Sequence, residues 1–375
     1  MKDSTRSARE EGNADTLLMR RALELARKGW GQTAPNPMVG AVVVRAGEIV
    51  GEGFHARYGD RHAEIAALNA AGEKARGATL YSTLEPCRHY GKTPPCVDAI
   101  LAAGIARVVV ATLDPTEKAG GGAAFLRQRG IEVSVGMLET DARELNAAFF
   151  HSASSDMPWT TLKLAVSIET AIANARGTTT WLTSRESRVE VHRLRAGNDA
   201  VAVGVGTILA DDPQLTVRDA PAPRQPPARV VFDRQLRTPA SSRVVTTVRE
   251  APTMIVTSDL SSTRATTLTA RGVRLIHANG LREGLRQLRK AGVRTLLVEG
   301  GAAIASAVLA ERLAHRLVIL QAPVALGVKA LYAFTGAPSR VLRELEEYPV
   351  LDRRALGPDV MTTYKLAEIG TGAND

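Results

Sequence analysis

The chain has 375 residues, and at about 150 residues per domain that calls for two or three domains. Hydrophobic residues make up 45% and charged ones 23%, which excludes a disordered or fibrous chain. Forty-eight basic residues against 39 acidic ones give a net charge of +9, a balance that suits nucleic acid, an anionic membrane or a phosphorylated small molecule without choosing among them. Two cysteines are too few for a disulfide framework.

The sequence lacks an apolar run approaching the roughly 18–20 residues that span a bilayer. Met1 to Asp15 is polar, without the apolar core of a secretory signal. A reducing cytoplasm is the expected location, where cysteines stay thiols. Aromatics, at 4%, are too scarce to supply the stacking surfaces of a single-strand binder.

In chain order, residues 1–14 read as a loose polar tail and Leu17–Lys28 as an amphipathic helix ended by Pro35 and Pro37. Ala41–Val44 and Glu48–Phe54 form a hairpin turning through Arg45-Ala46-Gly47. Helices follow at Ala63–Ala71, Val97–Ala103 and Phe125–Arg129, with strands at Thr79–Leu84, Arg107–Thr112 and Ile131–Val135. This alternation makes 15–152 an α/β domain. His151–Pro158 is small and polar, and 153–158 reads as a linker to a second domain over 159–375. There, strands are expected at Thr161–Val166, Ala200–Val203, Arg229–Phe232, Thr253–Val256, Thr295–Val298 and Leu317–Gln321. Helices are expected at Arg185–Arg195, Leu281–Lys290 and Ala302–Leu309, with a Pro-rich surface loop at Ala220–Pro227.

The first half carries a chemical constellation. His62-Ala63-Glu64 opens a helix, Glu85-Pro86-Cys87 follows a strand, and Cys96 opens the next helix. A lone His or Cys is usually packing, but here both cysteines of the chain fall in one short segment behind a His-x-Glu helix. One nitrogen and two sulfur ligands suit Zn²⁺ and leave a fourth position open, as catalytic zinc requires. Glu64, two residues from His62, is then a proton shuttle rather than a ligand, the pattern of zinc deaminases. Cys96 stands nine residues after Cys87, not three, so the Pro-Cys-x-x-Cys of nucleobase deaminases is not met.

Pro35-Asn36-Pro37-x-Val39-Gly40, His62-Ala63-Glu64 and the run from Thr83 to Cys96 together resemble the bifunctional deaminase–reductase family of riboflavin biosynthesis, in which the stretched Cys-x8-Cys is characteristic. The resemblance implies a cytidine-deaminase-like three-layer domain that deaminates 2,5-diamino-6-(5-phosphoribosylamino)pyrimidin-4(3H)-one. It places the pyrimidine on Asn36 and His55, and the ribose phosphate on His89 and Lys92. Arg61 stands where the family usually has Pro, and Arg88 where it usually has Ser.

In the second half, Gly204-Val205-Gly206 and Glu299-Gly300-Gly301 each follow a strand, where glycines let backbone N–H groups approach a phosphate or merely make a tight turn. With Leu162-Lys163-Leu164, Trp181 to Ser184, Leu194-Arg195, Gly206 to Pro213, Leu215-Thr216-x-Arg218 and Gly357 to Val360, they resemble the dihydrofolate-reductase-like reductase half of the same family. The implied reaction is hydride transfer from NADPH to the ribosylamino group. By likeness, Ala165, Trp181, Thr207, Asp211, Gly300 and Gly301 hold NADPH, while Lys163, Thr179, Arg195, Leu215, Arg218 and Glu299 hold the substrate. The family is usually dimeric or tetrameric.

One departure matters. After Ser167 the family has Leu-Asp-Gly-Arg/Lys, and this chain has Ile168-Glu169-Thr170-Ala171. The carboxylate moves out by a methylene, and a permissive glycine and a cation are gone. Val324 replaces a frequent Lys. Three readings follow: the bifunctional enzyme, with Zn²⁺ and NADPH, a phosphorylated pyrimidine as partner and neither nucleic acid nor membrane; a working deaminase with a weakened reductase, feeding a branch from riboflavin precursors; and a nucleic-acid-binding or -editing protein, which leaves the second half unused.

Overall fold

The computed structural model of the chain describes residues 2–174, 182–334 and 347–366, with 2–12 described by their backbone alone. The chain divides into two compact units, Met1–Ala153 and Ser154–Asp375.

The first unit holds α1 (Lys2–Arg27), β1 (Gly40–Arg45), β2 (Glu48–Phe54), α2 (Ala63–Ala71), β3 (Thr79–Ser82), α3 (Cys96–Ala102), β4 (Arg107–Val110), α4 (Gly122–Gln128), β5 (Glu132–Val135), α5 (Glu139–Leu145) and α6 (Ala147–Ser154). The segment read as a loose tail is helical from Lys2. Its polarity hid good helix formers, Ala8 to Glu11 among them. The small polar segment from His151 is likewise helical as far as Ser154.

The sheet runs in the order β2-β1-β3-β4-β5, antiparallel on its first side and parallel from β3 onward. Alternation along β1 sends Val42 and Val44 into one core with Met19, Ala22 and Leu23 of α1 and Ala142 of α5. α2 packs on the opposite face, with α3 against α2 and α4 against α3, which completes three layers. Glycine sets the spacing there. A Cβ on Gly51 would lie 2.3 Å from Ala67 O, and one on Gly53 2.4 Å from Ala63 O, so β2 admits α2 only because both positions are bare.

The second unit holds β6 (Trp159–Val166), β7 (Ala171–Ala173), α7 (Arg185–Ala196), β8 (Ala200–Gly204), α8 (Val205–Asp211), β9 (Ala228–Phe232), α9 (Arg243–Thr246), β10 (Thr253–Thr257), α10 (Thr263–Ala270), β11 (Arg274–His277), α11 (Leu281–Lys290), β12 (Thr295–Val298), α12 (Ala302–Ala310), β13 (Arg316–Gln321), β14 (Leu331–Tyr332), β15 (Val350–Leu356) and β16 (Asp359–Lys365). The nine-stranded sheet has the order β11-β10-β9-β8-β12-β6-β13-β16-β15. It is parallel through β13, and the last two strands are antiparallel. Leu296 and Val298 face a core with Leu285 of α11 and Ile304 of α12. Leu297 faces the other way, against Leu194 of α7. The expected strands and helices of this half are present, with ends shifted by at most two residues. Because β8, β12, β6 and β13 run parallel, their C-terminal ends lie along one edge, where a doubly covered sheet places its ligands.

Candidate functional site

In the first unit, His62 is the N-cap of α2, with extended backbone (φ −69°, ψ 159°). Cys96 is the first residue of α3, and Cys87 lies in the loop after β3. The three ligand atoms lie within 4.8 Å of one another. His62 Nδ1 is 3.2 Å from Cys96 Sγ and 3.4 Å from Cys87 Sγ. Hydrogen bonding from Cys96 pulls the Cys87 thiol far down, while the same contact and burial push Cys96 up. Two adjacent sulfurs competing for one proton are a donor set that a divalent cation resolves by accepting both as thiolates. The hydrogen bond with Cys87 also raises the His62 pKa.

Glu64 follows on α2, buried, with Oε2 3.6 Å from Cys96 Sγ and Oε1 3.5 Å from Ser82 Oγ. Burial pushes its carboxyl up to about 7. A carboxyl poised there can take a proton and return it.

His62, Glu64 and Cys87 line a cavity of about 550 Å³ that also receives Asn36, His55, His89 and Lys92, with Cys96 buried behind them. His55 Nδ1 meets the carbonyl of Arg61 at 3.1 Å, and a carbonyl only accepts. His55 Nε2 is therefore the bare nitrogen and accepts from Asn36 Nδ2 at 3.3 Å. Arg61 contributes only its backbone here, which accounts for its standing in place of Pro. Arg88 is exposed and lies over the Phe125 ring, 5.3 Å from its centroid, away from the cavity lining. Lys92 Nζ lies 4.2 Å from the centroid of the Tyr58 ring. Lys118, which the sequence reading left out, adds a second cation to the lining. Glu85, also in the lining and nearly buried, accepts backbone N–H groups of Ala123 and Asp114 at 2.9 and 3.2 Å.

In the second unit, Glu299 directly follows β12, its carboxylate buried between two cations. Arg195 of α7 grips it with Nε at 2.5 Å and Nη2 at 2.9 Å, and Lys163 of β6 stands at 3.2 Å. Burial alone would raise the carboxyl, but Arg195 and Lys163 outweigh it and hold the pKa at about 2. Arg195 Nη1 also donates to Thr216 O at 2.9 Å. Leu215 has φ +54° and a buried side chain, so only its backbone is left to meet a ligand. Arg218 is exposed and reaches Gln214 Oε1 at 2.5 Å.

Thr207 of α8 and Gly301 at the start of α12 are neighbours, since a Cβ on Gly301 would lie 3.6 Å from Thr207 Oγ1. Gly300 admits no side chain, because its Cβ would fall 1.8 Å from Ile304 Cγ2. Ala165 lies near the C-terminal end of β6 and Asp211 ends α8. Thr179 and Trp181 lie outside the described residues.

The departing turn is specific in its contacts. Glu169 Oε1 accepts the backbone N–H groups of Leu326 and Gly327, at 2.6 and 2.7 Å. These contacts hold its carboxyl below the usual range. Thr170 adopts φ +68°, the left-handed conformation that a glycine would take freely. Val324 again acts through its backbone, its carbonyl accepting from Ile168 N at 3.0 Å.

Comparison with known proteins agrees with both halves. The cytidine and deoxycytidylate deaminase zinc-binding region matches residues 13–112, and the RibD C-terminal domain matches residues 158–356. Riboflavin biosynthesis protein RibD of Aquifex aeolicus is 46% identical over 357 residues, 94% of this chain and 98% of that protein. The structure of Acinetobacter baumannii RibD superposes with a TM-score of 0.83 at 35% identity, covering 94% of this chain and 99% of that one. A diaminohydroxyphosphoribosylaminopyrimidine deaminase/5-amino-6-(5-phosphoribosylamino)uracil reductase from Thermotoga maritima does so with a TM-score of 0.83 at 34% identity, over 95% and 99%. Among the described residues, no helix is long and apolar enough to cross a membrane. The chain belongs to the RibD family of bifunctional riboflavin-biosynthesis enzymes, with a zinc-dependent deaminase in its first half and an NADPH-dependent reductase in its second.

Proposed function

We propose that the two sites act in succession on one phosphorylated pyrimidine. The observation that carries this is the convergence of His62, Cys87 and Cys96 beside buried Glu64, in a cavity that also holds Asn36, His55, His89 and Lys92. His62, Cys87 and Cys96 hold zinc, whose Lewis acidity makes water a nucleophile at neutral pH. Glu64 takes the proton of the attacking water and delivers it to the departing amine. Asn36, its Nδ2 engaged by His55, presents Oδ1 to the pyrimidine. His89 and Lys92 bind the ribose phosphate.

In the reductase half, NADPH supplies hydride to the sugar carbon. Gly301 leaves room for its phosphates beside Thr207, with Gly300, Ala165, Trp181 and Asp211 completing that site. The cations of Lys163, Arg195 and Arg218 outnumber the carboxylates of Glu299 and Asp219, so the cluster keeps net positive charge for a phosphate. Thr179 and the Leu215 backbone complete the substrate site. The reading includes a cytoplasmic location and a homo-oligomer; light scattering on the purified protein tests the second, and cell fractionation the first.

The deciding experiment supplies the deaminase substrate with and without NADPH and identifies products by mass. Replacement of an amino by an oxo group is expected without NADPH, and a further gain of two hydrogens with it. Absence of the second change overturns the reductase assignment, and absence of the first overturns the deaminase assignment.

A further inference from the structure

α7 carries His192 and Arg195 one turn apart, so both side chains project from one face of the helix. Both grip the loop that follows α8. Arg195 Nη1 holds Thr216 O at 2.9 Å, and His192 Nδ1 accepts the backbone N–H of Arg218 at 3.3 Å. His192 is buried, 5% exposed, and its Nε2 lies 3.6 Å from Asp219 Oδ2. Since Nδ1 accepts, Nε2 carries the proton and turns it toward Asp219. The loop is also anchored at Leu215, whose side chain is in the core. The Arg218 side chain is exposed and reaches Gln214, and the backbone hydrogen bond to His192 fixes where that long side chain starts.

We propose that His192 is a positioning residue of the reductase half, holding the Arg218 backbone so that the guanidinium meets the substrate phosphate. This rests on the reading of Arg218 as a substrate-binding residue. The groups facing His192 are Arg195, Arg218, Asp219 and Glu299. Burial lowers its pKa first, and the two arginines lower it further against Asp219 and Glu299. The ring is thus neutral at pH 7. When pH falls through the lowered value, a proton on Nδ1 replaces the lone pair that holds Arg218 N–H. It also adds a cation beside two arginines. The loop is then released and the phosphate is held less well on the acid side.

The test is steady-state NADPH oxidation by the full chain, supplied with the deaminated phosphoribosylaminouracil, for wild type, H192A, H192N and R218A. Loss of one hydrogen bond is expected to raise KM for this substrate about five- to tenfold in H192A, with kcat and the KM for NADPH unchanged. Asn can place Oδ1 where Nδ1 stood, so H192N is expected to recover most of that loss. The substrate phosphate also takes up a proton on the acid side, so wild type and H192N are compared over one pH series running downward from 7.5 for as long as both stay folded. KM is expected to rise more steeply in wild type. Should R218A raise KM while both His192 variants leave it unchanged, the positioning role is overturned. An R218A enzyme with unaltered KM instead overturns the reading of Arg218 on which the role rests. If H192A does not fold, the wild-type and H192N pH profiles decide alone, and coincident profiles overturn the proposal.

Discussion

Glu169 Oε1 accepts the backbone N–H of Leu326 at 2.6 Å, across 157 residues of sequence. With the Gly327 N–H beside it, the carboxylate clasps the loop after β13 to the turn after β6. The extra methylene of Glu over Asp is thus used in reach. Glu169→Ala is expected to lower reductase kcat/KM about tenfold, since charge-assisted hydrogen bonds to backbone are stronger than neutral ones. Deamination should be untouched. Assaying the half-reactions separately checks both statements, and equal losses in the two would contradict a local clasp.

Thr170 is a β-branched residue at φ +68°. Such a conformation costs on the order of 1–2 kcal/mol in an L-residue other than Asn or Asp. Thr170→Gly is expected to stabilise the second unit by about 1 kcal/mol after the greater chain entropy of glycine is counted. Thermal unfolding of the two proteins measures this, and a lower midpoint in the variant would refute stored strain at this turn.

Glu64→Gln keeps the shape of the side chain and removes its proton exchange. Deamination should fall by at least about a hundredfold, the usual scale of general acid–base catalysis. Zinc content and the reductase rate should be unchanged. Retained deamination would exclude Glu64 as the shuttle.

Cys87→Ser and Cys96→Ser each remove a thiolate from the three-ligand set. Elemental analysis should find zinc lost from both, with the reductase half still oxidising NADPH on deaminated substrate. A chelator should reproduce this in wild type. Full zinc occupancy in either variant would require a different ligand.

Glu299 sits between Arg195 and Lys163 with its carboxyl at about 2, against an ordinary value of 4.5. A depressed folded-state pKa stabilises above the unfolded value and is lost as pH falls. The ion cluster is therefore fully stabilising above about pH 4.5 and is lost toward about pH 2. Glu299→Gln leaves buried Arg195 without its counter-charge and is expected to cost about 3–5 kcal/mol. Melting curves from pH 7 to 3 should show the gap between wild type and variant narrowing as pH falls.

What could be read from the sequence was whatever lies close along it. Cys87 and Cys96 share one segment, and His62 and Glu64 share one helix start, so the metal site is legible before any fold is known. The partners supplied by the tertiary fold are not. Asp359 caps the start of α7 by accepting from Ser184 N at 2.7 Å and Ser187 Oγ at 2.6 Å, joining parts of the chain more than 170 residues apart. Asn146 holds both backbone groups of Met38 at 2.8 Å. His192 reads as one polar residue in a charged helix until β8 and α8 carry Arg218 back to it. The antiparallel strands β15 and β16 are also not legible in the sequence. β15 is an edge strand with mostly exposed side chains, and its alternation carries little apolar signal.

Gly51 and Gly53 are not among the residues lining the cavity, yet α2 rests directly on them. Zinc–ligand distances in real sites lie within about 0.2 Å of their standard values. A methyl group on either glycine would lift the helix that carries His62 and Glu64 by more than that. The two glycines therefore act as a gauge surface against which the metal site is set. Redesign of the deaminase pocket that samples only its walls would leave this reference plane untouched, whereas one methyl group behind α2 would detune the whole centre.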